Sequence, residues 1–260
     1  MMAAKNLIFY ADDFGLLPQG DEAILELLTT GRLQGTSVLL AGLTDGELSR
    51  LQALKRSRDI RIGLHLDARK ILDKDGGIAD EEKLGFILKS GWRLVFSRSL
   101  RDRVRVSWKN QIEQFISRFG YPPDQLEAHQ HLNFHPFLFA DICRLAQEFG
   151  IKHIRGGRRA LPARYSLASP KAVMINALLG WDRFFTSGGH YGFGQKTTDS
   201  LLSIDWLFPK KEPAAVVKML SEISERRVEV IFHPAKRLPG RPDYEILIER
   251  YRQYDFLKNL

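Results

Sequence analysis

The chain has 260 residues, of which 44% are hydrophobic and 27% are charged, and its net charge at pH 7 is +8. These values are typical of a soluble globular protein, and we expect residues 1–260 to form a single domain. The lone cysteine, Cys143, excludes an internal disulfide, and no stretch approaches the roughly 20 apolar residues needed to span a bilayer. We therefore expect a cytoplasmic protein.

Short apolar runs alternate with helical patterns along the chain. In the first half, the pattern predicts strands at 7–11, 36–40 and 60–66, helices at 18–30, 47–55 and 100–119, and a polar loop at 67–80. In the second half, it predicts strands at 126–131, 152–155 and 228–233, and helices at 137–149, 170–180, 214–224 and 244–254. This alternation predicts an α/β fold of parallel strands joined by helices, and the number of units favours an irregular, TIM-like (β/α) barrel.

The basic excess lies mainly in two segments. One comprises Arg98, Arg101, Arg103, Arg105 and Lys109, and the other comprises Lys152, Arg155, Arg158, Arg159, Arg164 and Lys171. Such segments attract phosphate, anionic glycans or acidic lipids, although an ordinary solvated surface is the commoner explanation. No nucleic-acid-binding motif accompanies the charge, so we expect no nucleic-acid partner. The sequence leaves open peripheral contact with a membrane, and also a homodimer.

Acidic and imidazole side chains follow the predicted strands at their carboxyl ends. They are Asp12, Asp13, His65, His129, His131 and His233. In parallel α/β folds these strand ends open onto one face, where active sites lie. Each residue alone has an ordinary structural explanation, such as a helix cap or a hydrogen-bonded core histidine. Their joint position at one end of the strands indicates a functional site.

The residue types suit metal-dependent hydrolysis. Two imidazoles and one carboxylate, with positions left open for water, are typical ligands of a divalent transition metal such as zinc. The metal lowers the pKa of its bound water towards about 7 and polarises a carbonyl. A neighbouring carboxylate can take the proton of the water, and a histidine on the opposite side can protonate the leaving amine.

The motifs resemble those of the YdjC-like carbohydrate (chitooligosaccharide) deacetylases. The resemblance runs in order through Ala11-Asp12-Asp13-Phe14-Gly15-Leu16, Gly63-Leu64-His65-Leu66, His129-Gln130-His131 with His135-Pro136, and His233-Pro234. It implies an irregular (β/α) barrel of the polysaccharide-deacetylase type. It also implies that metal-bound water hydrolyses the acetamide of an N-acetylated mono- or oligosaccharide.

The same resemblance implies roles for individual residues. Asp13, His65 and His129 would be the ligands of one zinc or magnesium ion. Asp12 would be the general base and His233 the general acid. We further expect substrate contacts from His131 and Arg155. The neighbouring arginines raise the alternative of an anionic or lipid-linked glycan.

Some residues depart from the family pattern, and other functions stay open. Asp21 and Asp67 stand where the family often has Asn, Asn133 where it often has His, and Ala235 where it often has Gly. Aromatic side chains that could stack on sugar rings, or belong to the core, are Trp92, Trp181, Phe184, Phe185, Tyr191 and Phe193. The alternatives are an O-acyl esterase or other metal-dependent carbohydrate hydrolase on the same barrel, and a non-catalytic ligand-binding barrel.

Overall fold

The computed structural model describes residues 7–72, 91–155, 159–160, 177, 200–206, 212–223, 227–240 and 245–260. The strands are β1 (Leu7–Phe14), β2 (Gly35–Val38), β3 (Arg61–Leu66), β4 (Gln125–Ala128), β5 (His153–Ile154), β6 (Arg159–Ala160), β7 (Ser200–Ser203) and β8 (Val228–Phe232). The helices are α1 (Pro18–Thr29), α2 (Asp45–Ser57), α3 (Arg69–Leu72), α4 (Arg98–Phe119), α5 (Pro136–Glu148), α6 (Pro213–Ser221) and α7 (Glu245–Lys258).

The strands form one eight-stranded parallel sheet in the order β5-β4-β3-β2-β1-β8-β7-β6. Every described pairing is parallel. The sheet curls into a half-barrel, and among the described strands the edges β5 and β6 do not pair with each other. The expected parallel α/β arrangement is confirmed, but the described strands do not close into a barrel.

Local sequence accounts for the helix ends. Thr44 begins α2 with a capping box, in which its hydroxyl accepts from the Glu47 N–H while the Glu47 carboxylate accepts from the Thr44 N–H. Gly120 ends α4 with a φ of 82°, a left-handed conformation that glycine adopts without steric cost. The buried residues of α4 recur at helical spacing: Leu100, Val104, Trp108, Ile112, Phe115 and Phe119. No helix among the described residues is long and apolar enough to cross a membrane.

Tyr10 fills the interior of the curled sheet. It is fully buried, and its hydroxyl donates to Thr36 O at 2.9 Å. A Cβ atom added at Gly35 or at Gly63 would come within 2.5 Å of a Tyr10 atom. The two glycines on β2 and β3 therefore make room for the tyrosine, and they let the neighbouring strands curl around it.

Several segments differ from the sequence prediction, which placed no strand at β6 or β7. The strand expected at 126–131 ends at Ala128, and His129–Phe134 form a 3-10 helix instead. Asn133 stabilises this turn, because its side chain accepts from Ala128 N at 3.4 Å and donates to Arg155 O at 3.0 Å. The loop expected at 67–80 begins with the short helix α3. Of the helix expected at 170–180, only Ala177 lies within the described residues, and it is helical.

Candidate metal centre and active site

Two consecutive aspartates, Asp12 and Asp13, lie at a bulge near the end of β1. The register between β1 and β2 shifts between Ala11 and Phe14. Asp13 has a φ of 67°, in the left-handed region that residues other than glycine rarely adopt. Consecutive residues of a regular strand point to opposite faces, and a bulge interrupts that alternation. Both carboxylates are consequently buried at the same end of the sheet.

Asp13, His65 and His129 bring one oxygen and two nitrogen atoms together. Asp13 Oδ1 lies 3.4 Å from His65 Nε2 and 3.3 Å from His129 Nδ1. The two imidazole nitrogens are 3.0 Å apart. Ligands about 2.0–2.1 Å from a tetrahedral zinc ion lie about 3.3 Å from one another. Asp13 Oδ1 is buried and, among the described residues, receives no hydrogen bond of standard geometry. The three atoms therefore fit one divalent metal ion.

The imidazole of His65 is oriented from its far side. Its Nδ1 lies 3.3 Å from Ser37 Oγ and 3.5 Å from Glu127 Oε1. The single proton of the Ser37 hydroxyl goes to Asp12 Oδ1 at 3.0 Å, so this hydroxyl can only accept from His65. That arrangement puts the imidazole proton on Nδ1 and leaves the lone pair of Nε2 free for a metal. Burial lowers the pKa of His65, which favours the neutral ring that a metal requires.

The second oxygen of Asp13 is held by Arg250 on α7. Arg250 Nη2 donates to Asp13 Oδ2 at 2.9 Å. Burial alone would raise the pKa of Asp13, but its contacts with His129 and His65 and the charge of Arg250 outweigh burial. The pKa of Asp13 consequently lies well below its usual value, so the carboxylate is ionised at neutral pH.

Asp12, His65 and Glu127 form a second group that could hold a metal ion. Arg155 occupies the carboxylates of this group: its Nη1 donates to Asp12 Oδ2 at 2.6 Å and also contacts Glu127 Oε2. A divalent cation there would face a fixed, buried guanidinium charge. The group centred on Asp13 Oδ1 is the better metal site, because no arginine of the described segments is bonded to that oxygen.

Asp12 is held as a carboxylate by Arg155. Arg155 Nη2 donates to Asp12 Oδ1 at 2.8 Å, in addition to the bond from Nη1 to Oδ2. Burial raises the pKa of Asp12, but the charges of Arg155 and His65 more than offset it, and the pKa falls below its usual value. The paired donors also fix the plane of the carboxylate.

Arg155 is buried in the curled sheet, although the sequence analysis predicted that it contacts the substrate. It is 1% exposed, and its Nε donates to Glu229 Oε1 at 2.6 Å. Glu229 also accepts from Gln125 Nε2 at 3.0 Å. The guanidinium thus bridges buried carboxylates of β1, β4 and β8. This geometry favours a role in holding Asp12 over the expected contact with substrate.

His233 lies on the other flank of Asp13, directly after β8. Its Nε2 is 3.9 Å from Asp13 Oδ2, and its Nδ1 is 2.7 Å from Asp205 Oδ2. Gln253 fixes both partners, because it accepts from His233 N at 2.7 Å and donates to Asp205 Oδ1 at 2.5 Å. Burial lowers the pKa of His233, but the charge of Asp205 outweighs burial, and the pKa is raised above its usual value.

The remaining predicted residues are less central in the described structure. His131 lies on the 3-10 helix with a φ of 59°, and its ring stacks on Phe134 with centroids 5.7 Å apart. It therefore does not share a strand face with His129, and its contact with substrate stays a prediction. Trp92 is 64% exposed and stacks on Phe96. The other residues considered for sugar stacking or for the second basic segment lie outside the described residues or have undescribed side chains: Arg158, Arg159, Arg164, Lys171, Trp181, Phe184, Phe185, Tyr191 and Phe193.

Comparison with known proteins identifies the family. The sequence profile of the YdjC-like protein family matches residues 6–259. The chain belongs to the YdjC-like family. The resemblance predicted from the motifs is thereby confirmed over nearly the whole chain.

Two known proteins are similar to this YdjC-like chain, one in sequence and one in structure. A chitooligosaccharide deacetylase of Escherichia fergusonii is 28% identical over 150 residues, which are 56% of this chain and 58% of that protein. The chain therefore matches little more than half the length of this relative. A structure from Enterococcus faecalis V583, named for a proposed cellobiose-phosphate cleavage protein, has a TM-score of 0.62 and 19% identity, over 97% of this chain and 90% of that one. At this identity the likeness shows the fold alone.

The sequence analysis assigned no role to several polar residues around the YdjC-like site: Ser37, which belongs to a Thr36-Ser37 motif of the family resemblance, and Glu127, Asp205, Glu229 and Arg250. Glu127 and Glu229 did carry a signal, since a charged residue inside a buried strand is seldom found without a partner. Asp205 follows β7 as the other site residues follow their strands, but it lies in the segment 157–210, where no clear pattern exists. Arg250 had no signal, because it lies among ordinary charged residues of a helix.

Proposed function

We propose that this YdjC-like protein is a carbohydrate deacetylase, which hydrolyses the acetamide of an N-acetylated mono- or oligosaccharide. The observation that carries the proposal is the convergence of Asp13 Oδ1, His65 Nε2 and His129 Nδ1, with separations of 3.4, 3.3 and 3.0 Å. The similarity to a chitooligosaccharide deacetylase supports N-acetylated chitooligosaccharides as the substrate class.

Asp13, His65 and His129 would hold one divalent metal ion, which as a Lewis acid polarises the acetamide carbonyl and activates water. Imidazole ligands suit zinc and related transition metals, whereas magnesium prefers oxygen ligands and retains several waters. We therefore propose zinc rather than magnesium as the better match to this ligand set.

We propose Asp12 as the general base. Its Oδ1 accepts from Ser37 and Arg155, whereas its Oδ2 accepts only from Arg155 among the described residues. A carboxylate oxygen has two lone-pair sites, so Oδ2 keeps one site for the proton of the attacking water. The lowered pKa of Asp12 keeps the base ionised at neutral pH.

We propose His233 as the general acid that protonates the leaving amine. Asp205 raises its pKa against the effect of burial, so the imidazolium stays populated closer to neutral pH. The contact with Asp205 through Nδ1 leaves Nε2 directed towards Asp13 and the candidate metal site. An acid on this flank and a base on the opposite flank suit hydrolysis of an amide, whose leaving group needs a proton.

Acetate release from purified protein tests this proposal. The panel contains N-acetylglucosamine, N-acetylated chitooligosaccharides, a phosphorylated N-acetyl sugar and O-acetylated sugars. We expect acetate from an N-acetylated substrate, loss of activity with a chelator and recovery with zinc. Asp12→Asn should abolish the activity, whereas Asp59→Asn, at an exposed position outside the site, should retain it. Acetate from the O-acetylated sugars alone would contradict the proposal and favour an esterase.

A further inference from the structure

Residues 91–96 carry an apolar cluster on the protein surface. Trp92 is 64% exposed, Val95 40% and Phe96 77%. The rings of Trp92 and Phe96 stack in parallel planes with centroids 5.4 Å apart. Leu94 between them is fully buried and anchors the segment to the core. Contiguous exposed apolar side chains of this kind mark interaction surfaces.

Basic side chains border this cluster. Residues 92–109 include six basic residues and one acidic residue, Asp102. Asp102 is already paired with Arg105 at 3.2 Å. Arg98 and Arg103 are exposed, and neither forms an ion pair with a carboxylate in the part of the chain that the structure describes. Arginine side chains without a carboxylate partner among the described residues therefore lie close in sequence to the exposed rings.

A cleft beside α4 includes Arg98, which follows Phe96 by two residues. It has a volume of about 690 Å³, and its lining includes Arg98 and Arg103, the Asp102 that pairs with Arg105, and the apolar side chains of Ile71 and Val106. Val106 is 56% exposed. Cationic and apolar groups thus share one cleft, which suits a ligand with an anionic head and an apolar body.

The surface adjoins the end of the sheet that carries the candidate active site. Gly91 O lies 3.3 Å from His135 Nε2, and His135 ends the 3-10 helix that begins at His129. On α4, the Gln111 side chain accepts from Asp67 N at 2.8 Å and donates to Asp67 O at 2.7 Å, immediately after β3. The first link joins the start of the exposed segment to the end of the 3-10 helix, and the second joins α4 to the residue that follows β3.

We propose that the 92–106 surface, formed by Trp92, Val95, Phe96, Arg98, Arg103 and Val106, binds anionic phospholipid bilayers at their interface. The rings lie at the level of the headgroups, and the arginines contact lipid phosphates. Aromatic rings beside arginine and lysine side chains are the composition of interfacial membrane-binding segments. Each basic side chain near an anionic leaflet adds to the attraction.

A second copy of the chain suits this surface less well. A two-fold interface would bring the same patch of each copy together, and the exposed arginines of the two copies would repel each other. Binding to a bilayer would instead turn the rim of the site towards the headgroup layer, where a lipid-linked glycan is exposed. The access to a lipid-linked glycan rests on the proposed function, whereas binding to the bilayer does not.

Sedimentation of the full chain with vesicles tests the proposal. We expect the wild type to sediment with vesicles of phosphatidylcholine and phosphatidylglycerol, and much less with phosphatidylcholine alone. Replacing both Arg98 and Arg103 by Gln should lower the partition coefficient by roughly 25-fold, about fivefold per arginine. The double variant Trp92→Ser, Phe96→Ser should lower it by about tenfold or more. Lipids brominated near the headgroup should quench tryptophan emission in the wild type and much less in Trp92→Phe.

Matched variants elsewhere on the surface separate this effect from a general loss of charge or apolar area. Arg32→Gln with Lys152→Gln removes two exposed basic groups, and Val217→Ala trims an exposed apolar side chain on α6. Both should bind vesicles as the wild type does, and thermal melts of all variants check that they are folded. Equal binding of the 92–106 variants and the wild type would overturn the proposal. A second result would also overturn it: the wild type self-associates, the Trp92→Ser, Phe96→Ser variant does not, and neither protein binds vesicles. Vesicle binding needs no catalysis, so it and acetate release can fail independently.

Discussion

At the scale of single residues, Arg155 is the cation that makes the buried acidic side chains of the sheet tolerable. Its guanidinium contacts Asp12, Glu127 and Glu229, and it is 1% exposed. Arg155→Gln would leave these carboxylates without their cation, so we expect the free energy of unfolding to fall by about 3–5 kcal/mol in urea denaturation. Arg105→Gln, which removes a surface pair with Asp102, should cost less than about 1 kcal/mol. Unchanged stability with a raised KM would instead make Arg155 a substrate-binding residue.

The pair formed by His233 and Asp205 predicts a change in the pH dependence of activity. Asp205 raises the pKa of His233, so Asp205→Asn should lower that pKa, and the acid form should be lost at a lower pH. The basic limb of the pH profile of kcat should therefore move to lower pH, with a fall in kcat of roughly 100-fold or more. A loss of activity with an unshifted profile would argue that Asp205 only supports the local structure.

Asp21 predicts a pH dependence of stability. Burial raises its pKa to about 8, against the hydrogen bond from Gly15 N at 2.6 Å and with a further increase from Glu47. Because the pKa of Asp21 is raised in the folded state, its protonated form contributes to the free energy of unfolding. That contribution is complete below the ordinary aspartate pKa and is lost as the pH rises towards 8. Asp21→Asn should therefore gain stability over the wild type, by at least about 1 kcal/mol at pH 9 compared with pH 5.

Chemical denaturation across that pH range measures the effect. Asp45→Asn is the matched control, since the Asp45 side chain is 97% exposed. Parallel stability curves for the wild type and Asp21→Asn would show that Asp21 does not titrate differently in the folded state. An Asn side chain at this position can still accept the hydrogen bond from Gly15 N.

At the scale of elements, the curl of the sheet depends on the fit of Tyr10 between β2 and β3. A Cβ atom at Gly63 would lie 2.5 Å from the Tyr10 hydroxyl oxygen. Gly63→Ala should therefore cost about 1–3 kcal/mol of stability. Tyr10→Phe removes that oxygen, so the double variant should cost less than the sum of the single changes in a double-mutant cycle. Gly46→Ala, whose nearest neighbour is 4.0 Å away, should be neutral or stabilising. Strict additivity at positions 10 and 63 would contradict the packing described.

The positions of the strands could be predicted from the sequence, but the backbone conformation at their carboxyl ends could not. Apolar runs fixed β1, β3 and β8 to within a few residues because burial dictates their composition. The bulge at Asp13 and the 3-10 helix at His129 depend on contacts with distant residues, such as the bond from Asn133 to Arg155 O. No local pattern records such contacts. The sequence therefore predicted residues that the fold brings together, and it was wrong about the strand at 129–131, which is part of a 3-10 helix.

At the scale of the whole molecule, parallel strands bring residues distant in sequence to one rim. Asp13 and His65 lie near the carboxyl ends of β1 and β3, and His129 and His233 directly follow β4 and β8. This convergence was predicted from the alternation of strands and helices. What was missed is the layer of charges inside the sheet, since pairings such as Arg155 with Glu229 span 74 positions of sequence. That residues 1–260 form a single domain, and that the chain forms a homodimer, stay predictions.

The central claim is that Asp13, His65 and His129 hold one metal ion, and metal stoichiometry at saturating zinc tests it most directly. After removal of free zinc, elemental analysis should find about one ion per chain in the wild type, and also in Asp12→Asn, which alters only the second candidate group. Asp13→Ala should retain almost none. No bound metal in the wild type, or loss of metal in Asp12→Asn with retention in Asp13→Ala, would contradict the assignment, and with it the proposed mechanism.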